Sequence, residues 1–289
     1  MSVLLRTEGL SFTYGINTPF EKQAVKNVNI EINKGEVIGV IGHTGSGKST
    51  LMQMLNGLIT PTDGTVYLDG ADIFENKKNL RQVRFKVGLV FQYPENQLFE
   101  ETVRKDISFG PRNMGLPAEA VDKRIRKAAK FAGLREELLD RSPFDLSGGE
   151  KRRAAIAGVI AMDPEILILD EPTAGLDPMG RDVLLEQIDA YHKSRGNTVL
   201  LVSHSMEDIA RIADRVLVMY KGECVMLDTP KAVFARSDEL EQMGLRVPQI
   251  TKITTMLRDM GVALPEGILT VDEAFEQICG ILRKEGKIC

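Results

Sequence analysis

Val37-Ile38-Gly39-Val40-Ile41-Gly42-His43-Thr44-Gly45-Ser46-Gly47-Lys48-Ser49-Thr50-Leu51 decides the fold. Its first five residues are an apolar, mostly β-branched run, opened by the turn Asn33-Lys34-Gly35-Glu36. Gly42–Ser49 fits G-x-x-x-x-G-K-[ST], and Leu51, Met54 and Leu55 then fall on one helical face. A strand, a glycine-rich loop and a helix in that order are the context in which this pattern cradles phosphates. The glycines let the backbone wrap closely, with its N–H groups turned inward. The helix N-terminus adds a partial positive charge. Lys48 is placed to reach the β- and γ-phosphates, and the Ser49 hydroxyl to hold Mg²⁺. Gly42, His43, Thr44, Gly45, Ser46, Gly47, Lys48, Ser49 and Thr50 together form the expected nucleoside-triphosphate site, with His43 contributing only backbone. The bland alternative is a glycine-rich turn with a chance Lys-Ser pair.

Outward from this loop, Val87–Phe91, Ile166–Asp170 and Thr198–Ser203 are short runs apolar on both faces, as strands covered by helices on both sides are. Val66–Leu68 and Arg215–Met219 read as further strands. Strand patterns alternating with helical ones predict an α/β fold: a P-loop core with a mostly parallel sheet. Residues 92–161 differ. They are helical in pattern, punctuated by Pro94, Gly110-Pro111 and Gly115-Leu116-Pro117, and predict a helical subdomain (about 93–161) inserted into the core. After Thr229-Pro230 only amphipathic helix patterns remain, notably Ile250–Met260 and Val271–Lys284. The expected organisation is a core over 1–230 and a helical extension over 231–289.

The strand Ile166–Asp170 ends in two carboxylates, Asp170 and Glu171. Ligands of open α/β sheets sit at the carboxyl ends of strands. Asp170 is therefore placed to hold Mg²⁺ and Glu171 to deprotonate an attacking water. A strand followed by a solvated Asp-Glu-Pro-Thr turn is the alternative. In Leu146-Ser147-Gly148-Gly149-Glu150, Ser147 and Glu150 fit a capping box opening a helix toward Ala161. The cap leaves the two glycines unexplained. They suit close approach of an anion to a helix N-terminus.

Composition sets outer bounds. Of 289 residues, 37 are Lys or Arg and 41 Asp or Glu, a formal charge of −4. Bulk attraction to nucleic acid is not expected from such a balance. No apolar run approaches the roughly 18 residues of a membrane span. Arg6 and Glu8 interrupt the stretch where a signal peptide needs apolar residues, so a cytoplasmic location is expected. Cys224, Cys279 and Cys289 form no C-x-x-C pair and read as reduced, structurally minor thiols.

Together these motifs resemble the ATPase subunits of ABC transporters. Leu146–Glu150 is similar to the family's LSGGQ signature, with Glu150 in place of the usual Gln. The resemblance implies ATP and Mg²⁺ as cofactors. It implies adenine stacking on Tyr14, with Phe20 the competing aromatic. It implies that Gln92 is the Q-loop glutamine near Mg²⁺ and water, and that Asp177 belongs to a D-loop. It implies that His204 is a switch histidine at the γ-phosphate, catalytic together with Glu171 and Gln92. In this family two ATPase chains pair head to tail. Ser147, Gly148, Gly149 and Glu150 are then expected to close on ATP held by the partner's phosphate loop. Thr18–Glu21 and Gln92–Val103 further resemble the energy-coupling factor transporters, importers of vitamins or transition-metal ions. That branch implies a heterodimer with a second, paralogous ATPase subunit, a membrane coupling subunit (T component) and small substrate-binding membrane proteins (S components). It implies a peripheral place on the cytoplasmic face of the cell membrane, with residues after Gln92 as the docking surface. Other ABC transporters, a soluble ABC-type ATPase on DNA or ribosomes, and a small-molecule kinase remain as alternatives.

Overall fold

The computed structural model describes residues 2–284. In chain order its main elements are β1 (Val3–Tyr14), β2 (Lys22–Asn33), β3 (Val37–Ile41), α1 (Lys48–Leu55), β4 (Asp63–Leu68), β5 (Ala71–Asp72), α2 (Leu80–Lys86) and β6 (Val87–Val90). There follow α3 (Val103–Asn113), α4 (Ala118–Phe131), α5 (Gly148–Ile160), β7 (Ile166–Asp170), α6 (Pro178–Arg195), β8 (Thr198–Val202) and α7 (Met206–Ile212). The chain continues through β9 (Arg215–Tyr220), β10 (Glu223–Asp228), α8 (Pro230–Phe234), α9 (Ser237–Gln242), α10 (Gln249–Asp259) and α11 (Val271–Lys284).

Two sheets form. The larger has the order β10-β9-β3-β8-β7-β6 and is parallel throughout except at the β9–β10 edge. The smaller, β2-β1-β4-β5, is antiparallel. All five residues of β3, β7 and β8 are buried. Successive side chains of a strand point to opposite faces, so these three strands feed two separate cores. Ile38, Val40, Ile166, Ile168, Leu200 and Val202 pack toward the antiparallel sheet and α1. Val37, Ile41, Leu167, Leu169, Val199 and Leu201 pack toward the helices on the other side. Burying such side chains stabilises by roughly 1.5–3 kcal/mol each, which makes this double-faced sheet the rigid base of the molecule.

Between β6 and β7 lie the helices α3, α4 and α5. Thr102 caps α3 by accepting from the Lys105 N–H. Val121, Ile125, Ala128 and Ala129 form the buried face of α4, while Lys123, Arg126 and Lys127 stay exposed. Ser147 and Glu150 form the expected capping box at the start of α5. Beyond β10 the described residues contain helices only, with a small separate core of Leu264, Ile268 and Ala274 beneath α10 and α11. Cys289 lies outside the described residues. Among the described residues, no helix is long and apolar enough to cross a membrane.

Candidate functional site

Register brings the chemistry to one edge of the large sheet. Val40 pairs with Val202, Val202 with Asp170, and Val90 with Leu169. The strands run in the same direction, so the residues that follow them emerge side by side: the phosphate loop after β3, His204 after β8, Glu171 after β7 and Gln92 after β6. This is the carboxyl edge where open α/β sheets hold ligands.

Residues 42–47 form a tight glycine loop between β3 and α1. Gly47 has φ 101° and begins α1; a Cβ there would lie 2.3 Å from the Ala24 carbonyl oxygen. A side chain at Gly42 would lie 2.4 Å from the Met219 carbonyl. Only glycine fits either position. Lys48 folds back over the loop and donates from Nζ to the carbonyls of Gly42 (2.7 Å) and His43 (3.2 Å). Burial pushes its ammonium below the ordinary lysine range, against the raising charges of Glu171 and Asp170. Among the described residues the buried Ser46 hydroxyl has no hydrogen-bond partner, which leaves a polar atom in the loop wall unpaired. His43 offers the site its backbone; its ring sits edge-on to Tyr220 and bonds the Thr44 carbonyl.

Asp170 is 5% exposed and accepts a hydrogen bond from Ser49. Burial pushes its carboxyl above the usual range, against that hydrogen bond and the charges of Lys48 and His204. A cation at this point would offset the burial. Among the described residues no group of three or more His, Cys, Asp and Glu forms a metal cage. Mg²⁺ is usually held by one or two carboxylates plus substrate phosphates and waters. The Ser49–Asp170 pair is a donor set of that kind.

Glu171 is the point of convergence. Its φ of 51° is left-handed, and its N–H continues the ladder to the Val202 carbonyl at 3.1 Å. One carboxylate oxygen accepts from Gln92 Nε2 at 3.1 Å and the other from His204 Nε2 at 2.6 Å. A carboxylate only accepts, so His204 carries its proton on Nε2 here. The His204 side chain is half exposed. A groove of about 480 Å³ opens beside the pair, lined by Thr173–Leu176, Arg181 and Ser205.

Tyr14 stands at the end of β1, partly exposed, edge-on to Phe12, with its hydroxyl 3.1 Å from Thr50 Oγ1 in α1. Phe20 is exposed in the turn between β1 and β2. Tyr14 therefore lies against the phosphate-loop helix with part of its ring free.

The signature segment stands apart. Among the described residues no hydrogen bond or ion pair joins 147–150 to 42–50. Ser147 donates from its N–H (3.0 Å) and Oγ (2.8 Å) to Glu150, whose carboxylate also meets Arg135 at 3.1 Å. The Ser147 hydroxyl and N–H hold the Glu150 carboxyl below its usual range, helped by Arg135. A Cβ at Gly148 or Gly149 would meet no atom within 4 Å. Among the described residues nothing requires glycine there. Asp177 caps α6 by accepting from the Gly180 N–H at 2.6 Å and is otherwise exposed.

Sequence reasoning missed Arg152 and Glu95. Arg152 is 5% exposed and meets Glu95 with a two-pronged contact, Nε to Oε2 at 3.1 Å and Nη2 to Oε1 at 2.9 Å. The signal was faint: Glu95 lies three residues after Gln92, and Arg152 lies in the basic run after the two glycines.

Comparison with known proteins gives the family. Residues 25–174 match the ABC transporter family. The energy-coupling factor transporter ATP-binding protein EcfA2 of Clostridium perfringens is 54% identical over 280 residues, covering 96% of this chain and 98% of that protein. The protein of the same name from Caldanaerobacter subterraneus subsp. tengcongensis is 52% identical over 279 residues, with the same coverage. Among solved structures, cbiO1 of Clostridium perfringens, part of the ABC transporter complex cbiONQ, superposes with a TM-score of 0.74 at 38% identity, covering 88% of this chain and all of that one. The cassette MJ0796, solved as a dimer in a post-hydrolysis state with ADP and Pi, gives 0.71 at 28% identity, over 78% of this chain and 99% of that one.

Proposed function

This chain belongs to the ABC transporter family, as an ATP-binding ATPase subunit of the energy-coupling factor type, and from that premise we propose how its residues divide the work. The observation that carries the proposal is the convergence of Gln92 and His204 on Glu171 beside the phosphate loop.

ATP lies along the loop at 42–50, with its phosphates on the backbone N–H groups and Lys48 and its adenine against Tyr14. Ser49 and Asp170, with Gln92 nearby, would hold Mg²⁺, which would supply positive charge against the negative charge on the phosphates. Glu171 is the general base. As water oxygen attacks the γ-phosphorus, the bond to the β–γ bridging oxygen breaks and the water proton passes to Glu171. A positioned base contributes on the order of 10²–10⁴ in rate. Gln92 and His204 hold the carboxylate, and His204 is free to turn its Nε2 to the γ-phosphate.

The second half of the site comes from another chain. Ser147, Gly148 and Gly149 present an open helix N-terminus remote from their own phosphate loop. Such a terminus attracts anions. Paired head to tail, with Asp177 at the seam, each chain closes its signature on the partner's ATP. Losing the γ-phosphate contacts then releases the pair. The EcfA2 relatives and the cbiONQ complex support a paralogous ATPase partner and membrane components. We place the chain peripherally at the cytoplasmic face of the membrane, docked through residues after Gln92 on a T component that serves small S components. The cargo is a vitamin or a transition-metal ion.

The test is a pair assembled from this chain and its paralogue, with Ser147→Arg here. ATP binding at this chain's loop is expected to persist while turnover at the partner's loop is lost. Unchanged turnover at the partner's loop would remove the cross-chain assignment.

A further inference from the structure

Arg152 makes contacts that the nucleotide site does not use. Besides its fork on Glu95, its Nη1 donates to the carbonyls of Pro172 and Ala174. One guanidinium thus ties three segments that sequence keeps far apart. Glu95 follows Gln92 and opens the proposed docking surface. Arg152 itself sits in the second turn of α5, whose N-terminus carries Ser147–Glu150. Pro172 and Ala174 follow Glu171 directly and lead to Asp177.

The contact is built rather than incidental. The Arg152 side chain is 6% exposed and that of Glu95 20%. A planar guanidinium with five donors can fork onto a carboxylate and still reach carbonyls; a lysine ammonium cannot match that arrangement. Burial opposes ionisation of Glu95, yet the Arg152 hydrogen bond and charge hold its carboxyl below the usual range. Removing either partner leaves a buried charge uncompensated.

We propose that Arg152 is a positioning residue: through Glu95 on one side and the Pro172 and Ala174 carbonyls on the other, it transmits displacement of the docking segment to the backbone carrying Glu171. It touches neither nucleotide nor reacting atoms. Its effect is on where the Glu171 carboxylate stands. Misplacement of a reacting group by about 1 Å costs on the order of a hundredfold in rate, so a slackened tether has a large kinetic signature. The inference rests on Glu171 as the general base.

The experiment uses the full chain paired with its paralogue, and rates are expressed per bound ATP so that misfolded protein does not count. Arg152→Lys keeps the charge facing Glu95 but cannot hold both carbonyls. Its kcat is expected to fall by about tenfold or more, with KM for ATP and the melting temperature little changed. Arg152→Gln and Glu95→Gln break one shared link, so the double variant is expected to lose no more kcat than the worse single variant. Full kcat in Arg152→Lys would overturn the proposal. So would losses that multiply in the double variant. Glu171→Gln, assayed alongside, separates the two claims. Rapid turnover in that variant removes the base assignment, whereas the Arg152→Lys and double-variant results judge the tether.

Discussion

Replacing Glu171 with Gln is the sharpest perturbation of the active site, because the structure indicates that the exchange is nearly silent except in chemistry. The carboxylate has two neighbours, Gln92 Nε2 at 3.1 Å and His204 Nε2 at 2.6 Å. A glutamine side chain has the same shape and keeps one carbonyl oxygen to accept from Gln92. Its amide nitrogen then faces His204, whose ring can shift its proton to Nδ1 and accept instead. Both contacts survive in altered polarity, so the left-handed backbone at residue 171 and the β7–β8 ladder keep their support. What is lost is a group able to take a proton from water. General-base removal costs about 10²–10⁴ in rate, or roughly 3–5 kcal/mol in activation free energy at about 1.4 kcal/mol per decade. ATP affinity, which the proposed function assigns to the loop and Tyr14, is expected to stay within a few-fold. Single-turnover hydrolysis with radiolabelled ATP, alongside equilibrium binding, reads both quantities. A rate drop under tenfold, or a parallel loss of ATP binding, would refute the reasoning.

Further outcomes follow from individual positions. Gly148→Ala and Gly149→Ala meet no internal atom, so the melting temperature should hold or rise, by up to about 1 kcal/mol in stability; paired ATPase activity should fall, and full activity would argue against an approaching phosphate. Gly47→Ala places a Cβ 2.3 Å from the Ala24 carbonyl at φ 101°, so chemical denaturation should show a loss of at least about 1–3 kcal/mol together with lost ATP binding. The Glu95 carboxyl is held below its ordinary range, so its pairing stabilises the fold at neutral pH and that contribution fades as pH falls through the lowered pKa. The stability gap between wild type and Glu95→Gln should therefore narrow on acidification, and a gap independent of pH would contradict the pairing.

What could be read in advance was whatever is local in sequence. The phosphate loop, the two carboxylates ending β7 and the Ser147–Glu150 cap each lie within a few residues, and burial on both faces makes β7 and β8 uninterrupted apolar runs. The antiparallel sheet was less legible. β1 pairs with β2 through four register shifts, which breaks the period-two alternation that reveals a half-buried strand. The link from Glu95 to Arg152 spans 57 residues. No local pattern marks a buried ion pair between two charged runs that each read as solvated. The meeting of Gln92, Glu171 and His204 was expected only through family resemblance, because its physical cause is the parallel register of β6, β7 and β8, which spacing alone does not reveal.

The central claim is that this ATPase energises a membrane transporter together with a paralogue. Tagging the chain in its native cell, solubilising membranes in mild detergent and identifying what co-elutes tests it directly. The account predicts a second, similar ATPase, one coupling membrane protein and one or more small membrane proteins. Elution of this chain with no membrane protein, under conditions that keep other membrane complexes intact, would contradict it.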